Sequence, residues 1–141
     1  MSEELENLEY VKFGGPSDEE MDKLDGSRVK IASCEVVDDT SPYGLDGNPL
    51  PEGQERAVKK LKLSTEEFGS EQIGRGLTHS ESYNLKEVDG RWVVGMHEKS
   101  KTAQFLAKYK LENFTKAEGT EVVITKKVNP ETQRGRLRIS I

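Results

Sequence analysis

From Gly135 to Ile141 apolar and polar positions alternate without a break, with Leu137, Ile139 and Ile141 on one side and Arg136, Arg138 and Ser140 on the other. A period of two predicts a strand with one face on a core and one in water. Arg134 extends the polar side, so the wet face carries a row of three arginines. Upstream, Thr120 to Val128 predicts another strand, in which Val122, Ile124 and Val128 alternate with Glu121, Val123, Thr125 and Lys127. Asn129-Pro130-Glu131-Thr132 supplies the turn between the two strands. Before them the period changes. Thr102, Phe105, Leu106 and Tyr109 fall at i, i+3, i+4 and i+7, which predicts a helix over about 101–111 with Ser100 as its N-cap.

The first two-thirds of the chain read as extended. Arg28 to Asp38 predicts a strand with apolar residues of both parities (Val29, Ile31 and Val37; Ala32, Cys34 and Val36). Glu55 to Ser64 predicts a second, with Ala57, Leu61 and Leu63 inward and Arg56, Val58, Lys60 and Lys62 outward. Between them, Asp39 to Gln54 contains three prolines and three glycines and predicts a long loop, of the kind that is functional or mobile, with Tyr43 near its tip. Glu66 to His79 shows no clear period, and Gly74-Arg75-Gly76 within it is too short for a phosphate loop. Ser80 to Met96 predicts an extended region folded on itself at Asp89-Gly90, a type I′ hairpin signal.

Charge changes the picture at the start of the chain. Met1 to Ser27 holds nine acidic residues against Lys12 and Lys23, with few apolar ones. Such composition predicts a disordered acidic tail over 1–27, with a single folded domain over 28–141 and a short piece near Leu8 to Phe13 able to dock on it. The whole chain carries −5, yet residues 28–141 carry +2, an asymmetry that hints at polyanion binding or a masking tail. A single cysteine, Cys34, excludes an internal disulfide and a cysteine-based zinc site. The acidic start and short apolar runs argue against a secretory signal or a membrane span, so a cytoplasmic protein is expected.

In order, these elements are strand, strand, strand pair, helix, strand, strand. Five strands with one helix between the third and fourth resemble the OB-fold, a partly open Greek-key barrel whose strand 2–3 face and first and fourth loops bind oligonucleotides or oligosaccharides. The fold expected is therefore all-β with one helix, a five-stranded OB-like barrel. Finer motifs point the same way. Asn84-Leu85-Lys86-Glu87-Val88-Asp89-Gly90-Arg91-Trp92 is followed by Lys99-Ser100-Lys101 opening a helix with Phe105-Leu106. Gly119-x-x-Val122-x-Ile124 and Gly135-x-Leu137-x-Ile139 complete the series. Over roughly residues 80–141 this resembles small single-strand-binding proteins of archaea and their viruses or phages. The resemblance implies binding of single-stranded nucleic acid, DNA in the first instance, without catalysis, in replication, repair or strand protection.

Candidate binding residues follow from chemistry. Arg134, Arg136 and Arg138 lie about 7 Å apart along one face and suit successive phosphates. Arg56, Lys60 and Lys62 on the second strand, and Lys126 and Lys127 beside the last turn, extend that charge. Edge strands also carry Lys and Arg simply to block edge pairing, which is the plainer reading of the same residues. Tyr43 and Tyr83 are the candidate platforms for stacked bases. Phe68 and Trp92 are further candidates, although a Trp after a hairpin turn is more commonly a core residue. Phe105, Tyr109 and Phe114 are expected to pack. His79 and His97 have no ligand-spaced neighbours, and no nucleophile or phosphate-loop motif occurs, so neither metal, cofactor nor enzyme activity is expected. The alternative is a protein-interaction module using the barrel face or the acidic tail, which suits basic replication or repair proteins.

Overall fold

In the computed structural model, residues 16–141 are described, and the organising element is a long first strand, β1 (Arg28–Ser41). Its first residues pair antiparallel with β6 (Glu121–Val128), and the remainder pairs antiparallel with β2 (Arg56–Thr65). A bulge between Ile31 and Ser33 separates the two halves. One extra residue there shifts the inward side, so Val29 and Ile31 face the core before the bulge and Cys34 packs against it afterwards. That lets Val29, Ile31 and Cys34 share one side, whereas Val36, of Cys34's parity, is 56% exposed on the projecting part of the strand. β3 (Ser80–Asn84) pairs with β2, and β7 (Gly135–Ile139) with β6, giving a five-stranded antiparallel sheet ordered β3-β2-β1-β6-β7.

The remaining strands form a separate hairpin of β4 (Lys86–Val88) and β5 (Arg91–Val93). Its turn residues Asp89 and Gly90 have φ of 50° and 75°, as a type I′ turn requires. The extended region expected over 80–96 is therefore split: its first part joins the main sheet and its second does not.

Helix α3 (Lys101–Lys108) covers the inner face of the sheet. Ser100 caps it, its Oγ accepting from the Ala103 amide at 3.2 Å. Phe105 is fully buried, with its ring centroid 6.1 Å from Tyr83, 5.0 Å from Tyr109 and 5.5 Å from Phe114. Leu63, Val122, Ile124 and Ile139 complete the core beneath it. Tyr109 ties the helix to the sheet from outside, donating to the Ser140 carbonyl at 2.7 Å and accepting from the Val123 amide at 3.2 Å.

Two expectations need correction. The acidic segment does not stay outside the fold up to Ser27. Residues 18–24 form helix α1 (Asp18–Leu24), opened by a capping box between Ser17 and Glu20. Three acids in its first turn complement the helix dipole, and Met21 and Leu24 enter the interior, Leu24 with no exposure. Arg75 then clasps Glu20 with Nε and Nη2, both at 3.0 Å, holding the Glu20 carboxyl down to about 2. Arg75 follows the one-turn helix α2 (Ser70–Ile73) in a stretch without sequence period. Residues 1–15 of the tail expected over 1–27, with its docking piece near Leu8 to Phe13, lie outside the described residues.

The second correction concerns closure. The sheet does not pair into a barrel: β3 and β7 are its two edges. They nevertheless lie alongside each other. The Glu81 carboxylate of β3 accepts from the Ile139 amide of β7 at 2.5 Å and stands 3.4 Å from Arg138 Nη2. It also meets His79 Nε2 at 2.6 Å and accepts from Tyr83 Oη at 2.9 Å. Further along, His79 and Ser80 share a cleft with Gly135, Arg136 and Leu137. The two edges therefore run in the same direction, joined by a side chain where a backbone ladder is missing. Glu81 is 6% exposed. Burial raises its pKa, but the hydrogen bonds from His79 and the Ile139 amide, the Arg138 charge and the Tyr83 hydroxyl outweigh it, and the net shift is downward.

Two outcomes follow from this packing. Leu24→Ala should cost about 2–5 kcal/mol in urea unfolding, as expected of a core leucine and not of a tail residue. Glu81→Gln should cost about 2–4 kcal/mol. Because the folded-state pKa of Glu81 is lowered, its contribution is present above the unfolded carboxylate value near ~4.3 and is lost as pH falls through the folded one. Thermal melts against pH should therefore show a shallower acid limb in Glu81→Gln than in the parent protein.

Candidate nucleic-acid interface

Directly opposite residues in an antiparallel pair share a face. On β3 the alternation is sharp: Glu81 and Tyr83 are buried while Ser80, Ser82 and Asn84 are exposed. Across from those three stand Ser64, Lys62 and Lys60 of β2. On the far side of the seam, Arg136 and Arg138 of β7 oppose Lys127 and Thr125 of β6. Because Glu81 holds β3 against β7, the outer surface runs from Lys60 and Lys62, across the serines, to Arg136, Arg138 and Lys127. Side chains from four strands meet there although they are distant in sequence.

The predicted cations do not all stay free. Lys60 Nζ lies 2.7 Å from Asp39, and its hydrogen bond lowers the Asp39 pKa. Arg56 stands 3.9 Å from Glu87 of the β4–β5 hairpin and donates from Nε to the Tyr43 carbonyl at 3.2 Å. Arg138 is committed to Glu81 at the seam. Lys126 belongs to the inner side of β6, where its Nζ donates to Asp22 of α1 at 2.8 Å and its amide to Asp25 at 2.9 Å. The Asp22 hydrogen bond raises the Lys126 pKa, so that residue stays charged but occupied. Lys62, Lys127, Arg134 and Arg136 make no ion pair among the described residues. The arginine row thus divides: Arg134 and Arg136 are exposed, whereas Arg138 is structural.

The last turn shapes the end of this surface. Asn129 Oδ1 accepts from the Glu131 amide at 2.9 Å, its carbonyl accepts from the Gln133 amide at 2.8 Å, and Gln133 adopts φ of 60°. The hairpin curls around a concavity of about 580 Å³ lined by Lys127, Arg134 and Arg136 together with Glu131. The other loop sits at the tip of a β1–β2 ribbon that projects beyond the core. It is internally tied, Leu50 N donating to Pro42 O at 2.8 Å and Gly44 N to Asn48 O at 2.9 Å, with Tyr43 bridged to Pro49. The long loop is built on turns.

The aromatic candidates separate by burial. Tyr83 is not a stacking platform: it is 1% exposed, packed on Phe105, and its hydroxyl is given to Glu81. Burial, then the Glu81 charge, pushes its pKa up. Phe68 is likewise buried, bridged to Leu77. Tyr43 is 52% exposed. Trp92 is half-buried on β5 opposite Glu87 and takes no part in the main core cluster, contrary to the core placement expected for it. On β2, Val58 is buried and Ala57 exposed, reversing the sides expected at that end, where Val58 shares a cavity with Tyr43 and Leu85.

Glu81 was not among the predicted site residues. Its signal was present: His79, Glu81 and Tyr83 recur at i, i+2 and i+4, a polar trio of one parity inside a strand. Among the described residues no three His, Cys, Asp or Glu side chains gather as a metal site, and no helix is long and apolar enough to cross a membrane. Burial raises the Cys34 pKa, which leaves the thiol a poor nucleophile. Comparison of the chain with protein families, curated proteins and solved structures gives no match.

Proposed function

We propose that this protein binds single-stranded nucleic acid, DNA in the first instance, with little dependence on sequence, and that it does so without catalysis. The observation that carries the reading is the placement of Lys62, Arg136 and Lys127, which have no ion-pair partner among the described residues, on either side of the Glu81 seam, with Arg134 at the adjoining turn. Cations spread over one surface and not held by partners among the described residues are available to phosphates, and their counterions are released on binding. The strand order β3-β2-β1-β6-β7, with β3 alongside β7 in the same direction, suits an OB-like barrel whose last pairing is replaced by a carboxylate bridge. Its two flanking loops are the Tyr43 loop and the Asn129 turn. Protection of exposed strands during replication or repair fits such a surface.

The acidic head acts as an internal competitor in this reading. Asp22 already occupies Lys126, at the edge of the same hairpin. A second reading, docking of a partner protein, is favoured by the ribbon tip, where Leu45 is 79% and Tyr43 52% exposed. It predicts binding that Leu45→Ser abolishes and salt leaves unchanged.

Fluorescence anisotropy with a labelled oligothymidylate separates the readings. Four phosphate contacts predict a slope of log K against log salt of about −3, from roughly 0.7 per contact on single strands. Lys127→Ala/Arg136→Ala should halve that slope, whereas Arg56→Ala should leave it nearly unchanged. Asp22→Asn should tighten binding severalfold at low salt by removing a negative charge from beside the β6–β7 hairpin. Absence of binding in 20 mM salt would sink the proposal.

A further inference from the structure

Resting on the reading just given, we infer that the strand is gripped by its sugar–phosphate backbone with the bases turned away from the sheet, so that an abasic strand is as good a ligand as a complete one. Single-strand binding commonly joins a positive groove to aromatic rings on which bases stack. Here the groove lacks the rings. β2, β6 and β7 contain no aromatic residue, and the one aromatic on β3, Tyr83, points into the core with its hydroxyl on Glu81.

What the outer face offers instead is short and polar. Ser64 and Ser80 hydroxyls lie 3.0 Å apart, Ser82 stands opposite Lys62, and Asn84 opposite Lys60. Hydroxyl and amide donors beside lysine and arginine are the groups that contact phosphate and sugar oxygens, which position a strand without reading it. Same-face residues repeat about every 7 Å along each strand, a stride that lets neighbouring donors serve neighbouring phosphates. Of the exposed or half-exposed aromatics among the described residues, Tyr109 and Phe114 pack on Phe105 of the inner-face helix. Tyr43 borders only the Lys60 and Asn84 end of the face, across a shared cavity, and Trp92 sits on the separate hairpin. Neither lies on the path from Lys62 to Lys127.

The test compares three labelled ligands of twelve units on the full chain: oligothymidylate, an abasic strand of tetrahydrofuran phosphates, and a peptide nucleic acid with thymine bases and no phosphate. One stacked base is worth at least about fivefold in affinity, so fivefold is the dividing line. Abasic binding within fivefold of oligothymidylate, with no binding of the neutral analogue, is the expected result. Abasic binding weaker by more than fivefold overturns the backbone grip while leaving single-strand binding intact. Failure of both charged ligands at low salt overturns the two together, and binding of the neutral analogue overturns the grip directly. Tyr43→Ala/Trp92→Ala, whose rings are outside the main core, should change oligothymidylate affinity by less than fivefold. A larger loss, with an unchanged melting temperature, places the bases on those rings and overturns the inference.

Discussion

The buried Glu81 carboxylate governs the arrangement of everything around it. A sheet of five strands has two edges, and edges expose backbone groups that must be paired, covered or solvated. In this protein the edges are turned toward each other, and Glu81 spans the gap, taking the Ile139 amide, the Tyr83 hydroxyl, His79 and the Arg138 charge at once. A carboxylate in an apolar interior is costly unless its lone pairs are filled, and here four partners surround it. Without that bridge, β7 would lose its hydrogen-bonded link to β3, and the outer faces of β3 and β7 would not form one surface.

Electrostatics then sorts the surface into framework and binding groups. Asp38, Asp39, Glu87 and Glu81 hold Lys59, Lys60, Arg56 and Arg138, which rigidifies the ribbon, the hairpin and the seam. The three pairs outside the seam are partly exposed and contribute little stability singly, but all four remove charge from the groups they hold. Charge left uncompensated concentrates where β6 and β7 turn, and at Lys62. The acidic helix α1 packs by Met21 and Leu24 and presents carboxylates to Lys126, so the same segment supplies core and counter-charge.

Alternation over Thr120 to Ile141 and the Asp89-Gly90 turn were legible because strand period and turn chemistry are local. The Ser100 cap and the Thr102, Phe105, Leu106 stripe were legible for the same reason. α1 was not, because two buried residues among many acids look like a solvated tail until Leu24 is seen against the sheet. Val29 and Cys34 shared a wall only through a bulge that no local pattern announces. The loop after β1 was legible as prolines and glycines, but not its position at the end of a projecting ribbon.

By itself the chain's sequence determined where strands, turns and the capped helix form, and that the body is basic relative to its head. Those properties depend on neighbours a few residues apart. Only the tertiary structure decided which cations are free, because an ion pair such as Arg138–Glu81 or Lys126–Asp22 joins residues more than fifty positions apart. It likewise decided that Tyr83 faces inward, since in Ser80–Asn84 Tyr83 shares its parity with Glu81 and neither side of the strand is plainly apolar. The closing arginine strand is one wall of a surface because a single buried carboxylate, far off in the chain, holds its edge.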